Sequence, residues 1–278
     1  MKFTKMHGAG NDYVYVNCFE ESIDDPSRIA IRVSNRNFGV GSDGLILIMP
    51  SDAADVRMRM FNSDGSESEM CGNGIRCVAK YAYDHGIVSK DEITVETGAG
   101  ILVLNLSSDC CGKIEKVRVN MGVPRLARSE IPMIGGANDR VISEPLTVSD
   151  RTFLVTCVSM GNPHCVIFVD DAEAFPVSTY GPLIENHESF PRRVNVEFVQ
   201  VLSRNEVRQR TWERGAGETL ACGTGSCAVT AACVLNGLTE KELINHLSGG
   251  DLEMKWAEDG SIYMTGPAVE VFTGEIAL

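Results

Sequence analysis

Two cysteines 151 residues apart, Cys71 and Cys222, sit in the same local sequence. The first reads Met70-Cys71-Gly72-Asn73-Gly74 and the second Ala221-Cys222-Gly223-Thr224-Gly225. Each opens a run of small and apolar residues, Ile75 to His85 and Ser226 to Asn236, and each run stops at a glycine, Gly86 or Gly237. A cysteine at a helix start has its thiolate stabilised by backbone N–H groups and the positive end of the helix dipole. From an ordinary value of about 8.5, such a lowered pKa lies near enough to neutrality to give and take protons. Two such thiols brought face to face suit proton transfer on opposite faces of one carbon.

Other polar residues extend this chemistry. His164, Asn195, Glu213 and Arg214 supply a base and a fork-shaped partner for a carboxylate. The glycine-rich turns add N–H donors for an anionic group. Removing the α-proton of a free amino acid leaves a carbanion beside a carboxylate, and helix starts aimed at that carboxylate stabilise it in a site that excludes water. Inversion needs one base on each face, so one thiolate and one thiol open each turnover, and the two titrate as a coupled pair. No motif for pyridoxal phosphate or for a metal is present, so the expectation is no cofactor and no metal ligand.

The remaining cysteines read as core residues (Cys18, Cys77, Cys157, Cys165, Cys227 and Cys233) or, for Cys110-Cys111, as a pair without motif context. Arg57 with Arg59, and Arg208 with Arg210, read as a solvated strand face. Two readings from other classes stay open on these residues. Cys71 with Cys77 and Cys222 with Cys227 suggest a thiol redox or metal-binding protein, although redox and zinc pairs are usually more tightly spaced. A Cys-His hydrolase accounts for one cysteine and not for its duplicate.

The scaffold that must position these groups is duplicated. At the same offset of 151, Gly10-Asn11 falls on Gly161-Asn162, Val56 to Phe61 on Val207 to Trp212, and Glu67 on Glu218. Between positions 56 and 74 there are 7 identities in 19 ungapped positions, where chance gives roughly one. The period is too long for a solenoid and marks a duplicated domain. The polar residues have diverged: Asn62 falls on Glu213, Ser63 on Arg214, Tyr13 on His164 and Gly44 on Asn195. Divergence on a symmetric frame is expected when the cleft between the halves holds a molecule whose two ends differ.

Strand patterns run over Tyr13–Cys18, Leu45–Met49, Val56–Phe61, Glu92–Thr97 and Ile101–Leu106, then Thr152–Ser159, Cys165–Val169, Val194–Leu202 and Glu206–Trp212. Leu252–Trp256 and Ser261–Thr265 add a hairpin about Asp259-Gly260. The run after Cys222 is apolar nearly all round, as for a helix buried on every side. These patterns predict an α+β fold of two pseudo-symmetric domains, each a mainly antiparallel sheet wrapped around a central helix. The first half spans 1–120, rejoined by 268–278, and the second spans 121–267.

Composition narrows the setting. With 278 residues and 44% hydrophobic content the chain can bury two cores, and a net charge of −13 argues against nucleic acid or an anionic membrane as partner. No stretch approaches the roughly 18 apolar residues of a membrane span, and no presequence pattern opens the chain. Ten cysteines then read as reduced thiols in a cytoplasmic protein.

The segments Met6 to Asp12, Phe61 to Ser66, Met70 to Gly74, Gly161 to Cys165 and Trp212 to Thr219, followed by Ala221 to Gly225, resemble the diaminopimelate epimerase family almost from end to end. The resemblance implies a cofactor-independent epimerase of 2,6-diaminopimelate, two α/β domains with the site between them, and a homodimer. It implies Cys71 and Cys222 as the acid/base pair, assisted by His164 and Glu213. Asn11, Asn62, Asn162, Asn195, Glu213 and Arg214 would hold the substrate, with the turns Gly72-Asn73 and Gly223-Thr224. One departure stands at Gly44, where some members carry a side-chain amide, so Gly44 is left out of the site. Proline racemases share the two-cysteine logic but resemble a Met-Cys-Gly-His pattern where this chain has Asn73.

Overall fold

The computed structural model describes residues 1–277. The chain divides into two compact units, one formed by Met1–Asn120 with the segment from Thr265 on, the other by Met121–Met264.

In the first unit the elements are β1 (Lys2–Gly8), β2 (Asn11–Asn17), α1 (Pro26–Ser34), β3 (Gly44–Met49), β4 (Val56–Asn62), β5 (Glu67–Ser68), α2 (Gly72–Asp84), β6 (Glu92–Thr97), β7 (Gly100–Ser108) and β8 (Ile114–Asn120). A C-terminal strand, Val269–Glu275, pairs antiparallel with β1. From β1 the sheet continues antiparallel to β2, parallel to β3, antiparallel to β4, parallel to β6, then antiparallel through β7 to β8. Helix α2 packs against β1 to β4, β6 to β8 and the C-terminal strand. A sheet with a twist of one hand curls, and here it curls round the helix that fills its concave side. On the other face α1 packs Ala30 and Val33 against Val14, Val16, Leu45, Leu47 and Phe61.

The second unit repeats the plan. Its elements are β9 (Glu144–Val148), β10 (Arg151–Ser159), β11 (Pro163–Phe168), α3 (Val177–Glu185), β12 (Asn195–Ser203), β13 (Glu206–Glu213), β14 (Gly217–Thr219), α4 (Gly223–Leu235), β15 (Glu242–Leu247), β16 (Gly250–Trp256) and, as far as Met264, β17 (Ile262–Pro267). The pairings β9–β10 and β10–β11 are antiparallel, β11–β12 parallel, β12–β13 antiparallel, β13–β15 parallel and β15–β16 antiparallel. Strand residues alternate between two cores, as a period of two requires. Phe153, Val155, Cys157, Cys165, Ile167, Val196 and Phe198 face Val177 and Ile184 of α3. Val158, Val166, Val199 and Val207 face Cys227, Ala228, Ala231 and Ala232 of α4.

The mixed, mainly antiparallel α+β architecture with a central helix is therefore the one the duplication predicted. The helices keep the register of the repeat, since α1 and α3, like α2 and α4, lie 151 positions apart at both ends. Both central helices end on a glycine in the left-handed region, Gly86 (φ +73°) and Gly237 (φ +67°), whose N–H groups bond to Tyr83 and Val234 carbonyls. Among the described residues no helix is long and apolar enough to cross a membrane. Of the six cysteines read as core, Cys77, Cys157, Cys165, Cys227 and Cys233 are buried and Cys18 is half-buried, while Cys110 and Cys111 are exposed. Burial pushes the Cys77 thiol up to about 11 and Cys233 to about 12.

One strand face differs from its expectation. Arg59 forms a bidentate pair with Glu67 (2.7 and 2.9 Å), and its repeat partner Arg210 pairs with Glu218 (2.7 Å). Arg210 also donates through Nη1 to the carbonyls of Ala172 (3.1 Å), Glu173 (2.9 Å) and Phe175 (2.8 Å). Arg210 is therefore a buttress for the 172–175 loop and not a solvated residue. Arg210→Met should lower unfolding free energy by about 2 kcal/mol, because loop carbonyls lose their donor. Arg57→Met, on an exposed pair, should change it by less than about 0.5 kcal/mol. Urea denaturation compares the two, and equal small losses would restore the solvated-face reading.

Candidate active site

Cys71 is the N-cap of α2 and Cys222 the N-cap of α4, both with extended backbone (φ −135°, ψ 118° and φ −124°, ψ 110°). Each sulfur accepts from the third N–H of its helix, Gly74 at 3.3 Å and Gly225 at 3.4 Å. The place usually held by a serine, threonine or aspartate oxygen is filled by sulfur. These caps arise locally, from a cysteine in a strand-like conformation followed by glycines that let the helix start close to the sheet.

In the first unit the Cys71 thiol donates to Asn11 Oδ1 (3.3 Å), which also takes a bond from Asn73 Nδ2 (3.5 Å). Asn11 in turn donates to Asp43 (2.7 Å), and Asp43 is paired with Arg36 at 2.9 Å. The Tyr13 hydroxyl stands beside Asn11 and Cys71. Burial, then the neighbouring Cys71 and Asp43, push it above the usual phenol range. Gly72 lies in the first turn of α2. Asn62 ends β4, opposite Gly44, and its side chain bonds to Ser66 (3.0 Å) within its own turn. Gly44 is where a side chain has no room: a Cβ there would run into the Phe61 carbonyl and stand 2.8 Å from the Tyr13 ring.

In the second unit the predicted residues form one hydrogen-bonded string. Cys222 Sγ lies 3.6 Å from Thr224 Oγ1, which accepts from Asn162 Nδ2 (3.2 Å). Asn162 Oδ1 faces His164 Nε2 (3.1 Å), and His164 Nδ1 faces Glu197 Oε1 (2.7 Å). His164 and Glu197 are both fully buried. Glu213 accepts from Thr219 (2.6 Å). Burial raises it above the usual carboxylate range, against the pull of Thr219, His164 and Cys222. Gly223 opens α4.

Asn195 and Arg214 belong to a neighbouring group. Asn195 donates to the Pro163 carbonyl (2.8 Å) and accepts from the Arg214 backbone N–H (2.9 Å). The exposed Arg214 guanidinium makes one hydrogen bond, to the Arg192 carbonyl (3.1 Å).

The electrostatics of Cys222 correct the expectation of a thiol lowered by its helix. Burial, then the charges of Glu213 and Glu197, push it well above the usual thiol range. Thr224 and the Gly225 N–H pull the other way and lose. This balance favours the neutral thiol at Cys222. Glu197, Thr219, Tyr13 and Asp43 are the partners that sequence reasoning missed. Glu197 had a visible sign, an acid set between Val196 and Phe198 in an apolar strand. Among the described residues no three His, Cys, Asp or Glu side chains cluster as a metal site would require.

The profile of the family described as diaminopimelate epimerase matches residues 3–127 and 156–271. A relative of that name from Agathobacter rectalis is 59% identical over 283 positions, covering 99% of each chain. Another, from Acetivibrio thermocellus, is 56% identical and covers 100% of this chain and 99% of its own. The crystal structure of a PhzF-family phenazine biosynthesis protein from Bacillus anthracis aligns with a TM-score of 0.70 at 19% identity, covering 100% of this chain and 99% of that one, a likeness of fold alone. The chain belongs to the diaminopimelate epimerase family.

Proposed function

We propose that the protein is an isomerase that interconverts L,L- and meso-2,6-diaminopimelate without a cofactor, in the supply of lysine and peptidoglycan precursors. The observation that carries this reading is the pair of equivalent cysteines, each capping the central helix of a duplicated unit with its sulfur on the third N–H. With Cys222 as the thiol, Cys71 serves as the base once the S–H proton it directs at Asn11 has gone to solvent, and it then takes the α-proton from one face. Cys222 delivers its proton to the other face and is left as thiolate, and the reverse turnover exchanges the roles. The negative charge that develops on the α-carbon and its carboxylate is met by the helix starts at Gly72-Asn73 and Gly223-Thr224. His164 and Glu213 assist the thiols. Asn11, Asn62, Asn162, Asn195 and Arg214 hold the substrate.

Reduced protein incubated with L,L-diaminopimelate in deuterated water should yield meso product with deuterium at the inverted α-carbon. Failure to form it, or inversion without solvent deuterium, would overturn the proton-exchange reading. The ten free thiols support a reducing, cytoplasmic setting. A homodimer is the assembly proposed, and sedimentation velocity tests it.

A further inference from the structure

The duplication provides an internal control on what each thiol has behind it. Gly74 and Gly225 hold the same place, the third residue of their helices: Gly74 presses on Ile46, and Gly225 presses on Glu197 and, with a Cβ 3.1 Å from Nε2, on Gln209. A Cβ on Gly74 would stand 2.6 Å from Ile46 Cδ1 and 3.5 Å from Cys71 Cβ. A Cβ on Gly225 would stand 2.8 Å from Glu197 Oε1 and 3.2 Å from Cys222 Cβ. Ile46 and Glu197 are themselves 151 positions apart, in β3 and β12. The same scaffold therefore places a methyl group behind one thiol and a carboxylate behind the other.

Packing does not require that carboxylate, since isoleucine fills the equivalent position in the first unit. Burying a carboxylate is costly unless both oxygens are paired. Glu197 is fully buried, yet only Oε1 is bonded, to His164. Oε2 has no hydrogen-bond partner among the described residues. A side chain kept at such a cost acts on its neighbours. Those that titrate are Cys222 on the approach to α4, Glu213 on β13, and His164 and Cys165 on β11. Burial first, then Glu213 and Glu197, oppose a negative charge on Cys222, and the Thr224 hydroxyl and Gly225 N–H favour it.

We propose that Glu197 is a positioning residue that makes the two halves of the thiol pair unequal: its buried carboxylate anchors the His164 ring and stands against the helix start that Cys222 caps, where the first unit has the apolar Ile46. This rests on the reading of Cys71 and Cys222 as an acid/base pair. The string from His164 through Asn162 and Thr224 then holds a hydroxyl within reach of the sulfur for the half of the cycle in which Cys222 is charged.

The test needs no turnover, so it stands apart from the deuterium experiment. Resting, reduced protein is alkylated with iodoacetamide from neutral to alkaline pH, and peptide mass spectrometry reads Cys71 and Cys222 separately. Only thiolate reacts, so the rate follows deprotonation. In the wild type Cys222 should react with a midpoint above that of Cys71. Glu197→Gln removes a like charge and should lower the Cys222 midpoint by about one pH unit or more, leaving Cys71 in place. Glu197→Asp keeps the charge and should return the midpoint toward wild type, which a purely structural role would not produce. An unchanged Cys222 profile in folded Glu197→Gln would overturn the proposal. So would a wild-type Cys222 that titrates at or below Cys71, a result that stands even if the glutamine variant fails to fold.

Discussion

Serine in place of either Cys71 or Cys222 should lower diaminopimelate epimerisation by at least about 10³-fold and leave stability nearly unchanged. The two halves of that expectation have separate physical grounds. As an N-cap, serine is at least as good as cysteine, since its hydroxyl accepts the same N–H that Gly74 or Gly225 gives to sulfur. The helix start, and with it the glycine turn, stays in place. As an acid or base near neutral pH, serine is useless, and positioned acid–base groups contribute about 10²–10⁴ to a rate each. Inversion needs both groups, so either loss stops it. Elimination from an analogue with a β-leaving group needs one base only. Each single variant should therefore retain elimination where its remaining cysteine faces the α-proton. Thermal unfolding, epimerisation and elimination measured on both variants separate these effects. Wild-type epimerisation by either one would defeat the two-base mechanism.

What could be read from the sequence follows from how local each feature is. The cysteine caps lie within five consecutive residues, and a helix start depends on little else, so the expected helix starts at Cys71 and Cys222 are found in the structure. The strands that alternate cleanly, such as β4 with Val56, Met58 and Met60 buried, were equally legible. Strand β15 was not, because its buried Asn245 interrupts the apolar pattern, its Nδ2 donating to Gln209, 36 residues away (2.5 Å). Helix α3 was not read, and Gly181-Pro182 in its interior are two poor helix formers. Gly181 is there because the Trp212 ring leaves no room for a Cβ, only 2.6 Å away. Helix α1 did leave a sign in Asp25-Pro26, an N-cap that accepts from Arg28 (3.1 Å) followed by proline in the first turn.

The direction of the shift at Cys222 differs from the expectation of a thiol lowered by its helix. A helix start lowers a thiol's pKa when the site is open or positively flanked. Burial and two carboxylates reverse the sign at Cys222, and neither carboxylate is adjacent in sequence: Glu213 is nine residues away and Glu197 lies on another strand. Local motif supplied the group, and tertiary packing decided which proton it carries.

Lysine should be a very poor substrate, with kcat/KM about 10⁴-fold or more below that for diaminopimelate, because it lacks the distal carboxylate. The two equivalent cysteines treat any α-amino acid alike, so discrimination must come from the residues in which the halves have diverged. Arg214, which falls on Ser63 in the repeat, is the divergent residue with a fork-shaped cation. Its main chain is fixed through Asn195 to the Pro163 carbonyl, next to His164. Its guanidinium makes one bond to Arg192, and its other N–H groups can turn to a ligand. A site built to pair a carboxylate leaves its own donors unpaired when that group is missing, which is how rejection by factors of about 10⁴ arises. Arg214→Lys should lower kcat/KM for diaminopimelate by roughly 10²-fold or more, since an ammonium does not reproduce two parallel N–H donors. The loss should not be matched on lysine, which never engaged the fork. Measuring both substrates on both proteins tests this, and an equal fall on each would assign Arg214 to the fold and not to the distal carboxylate. Comparable turnover of lysine by the wild type would remove diaminopimelate as the selected substrate while leaving the two-thiol chemistry standing.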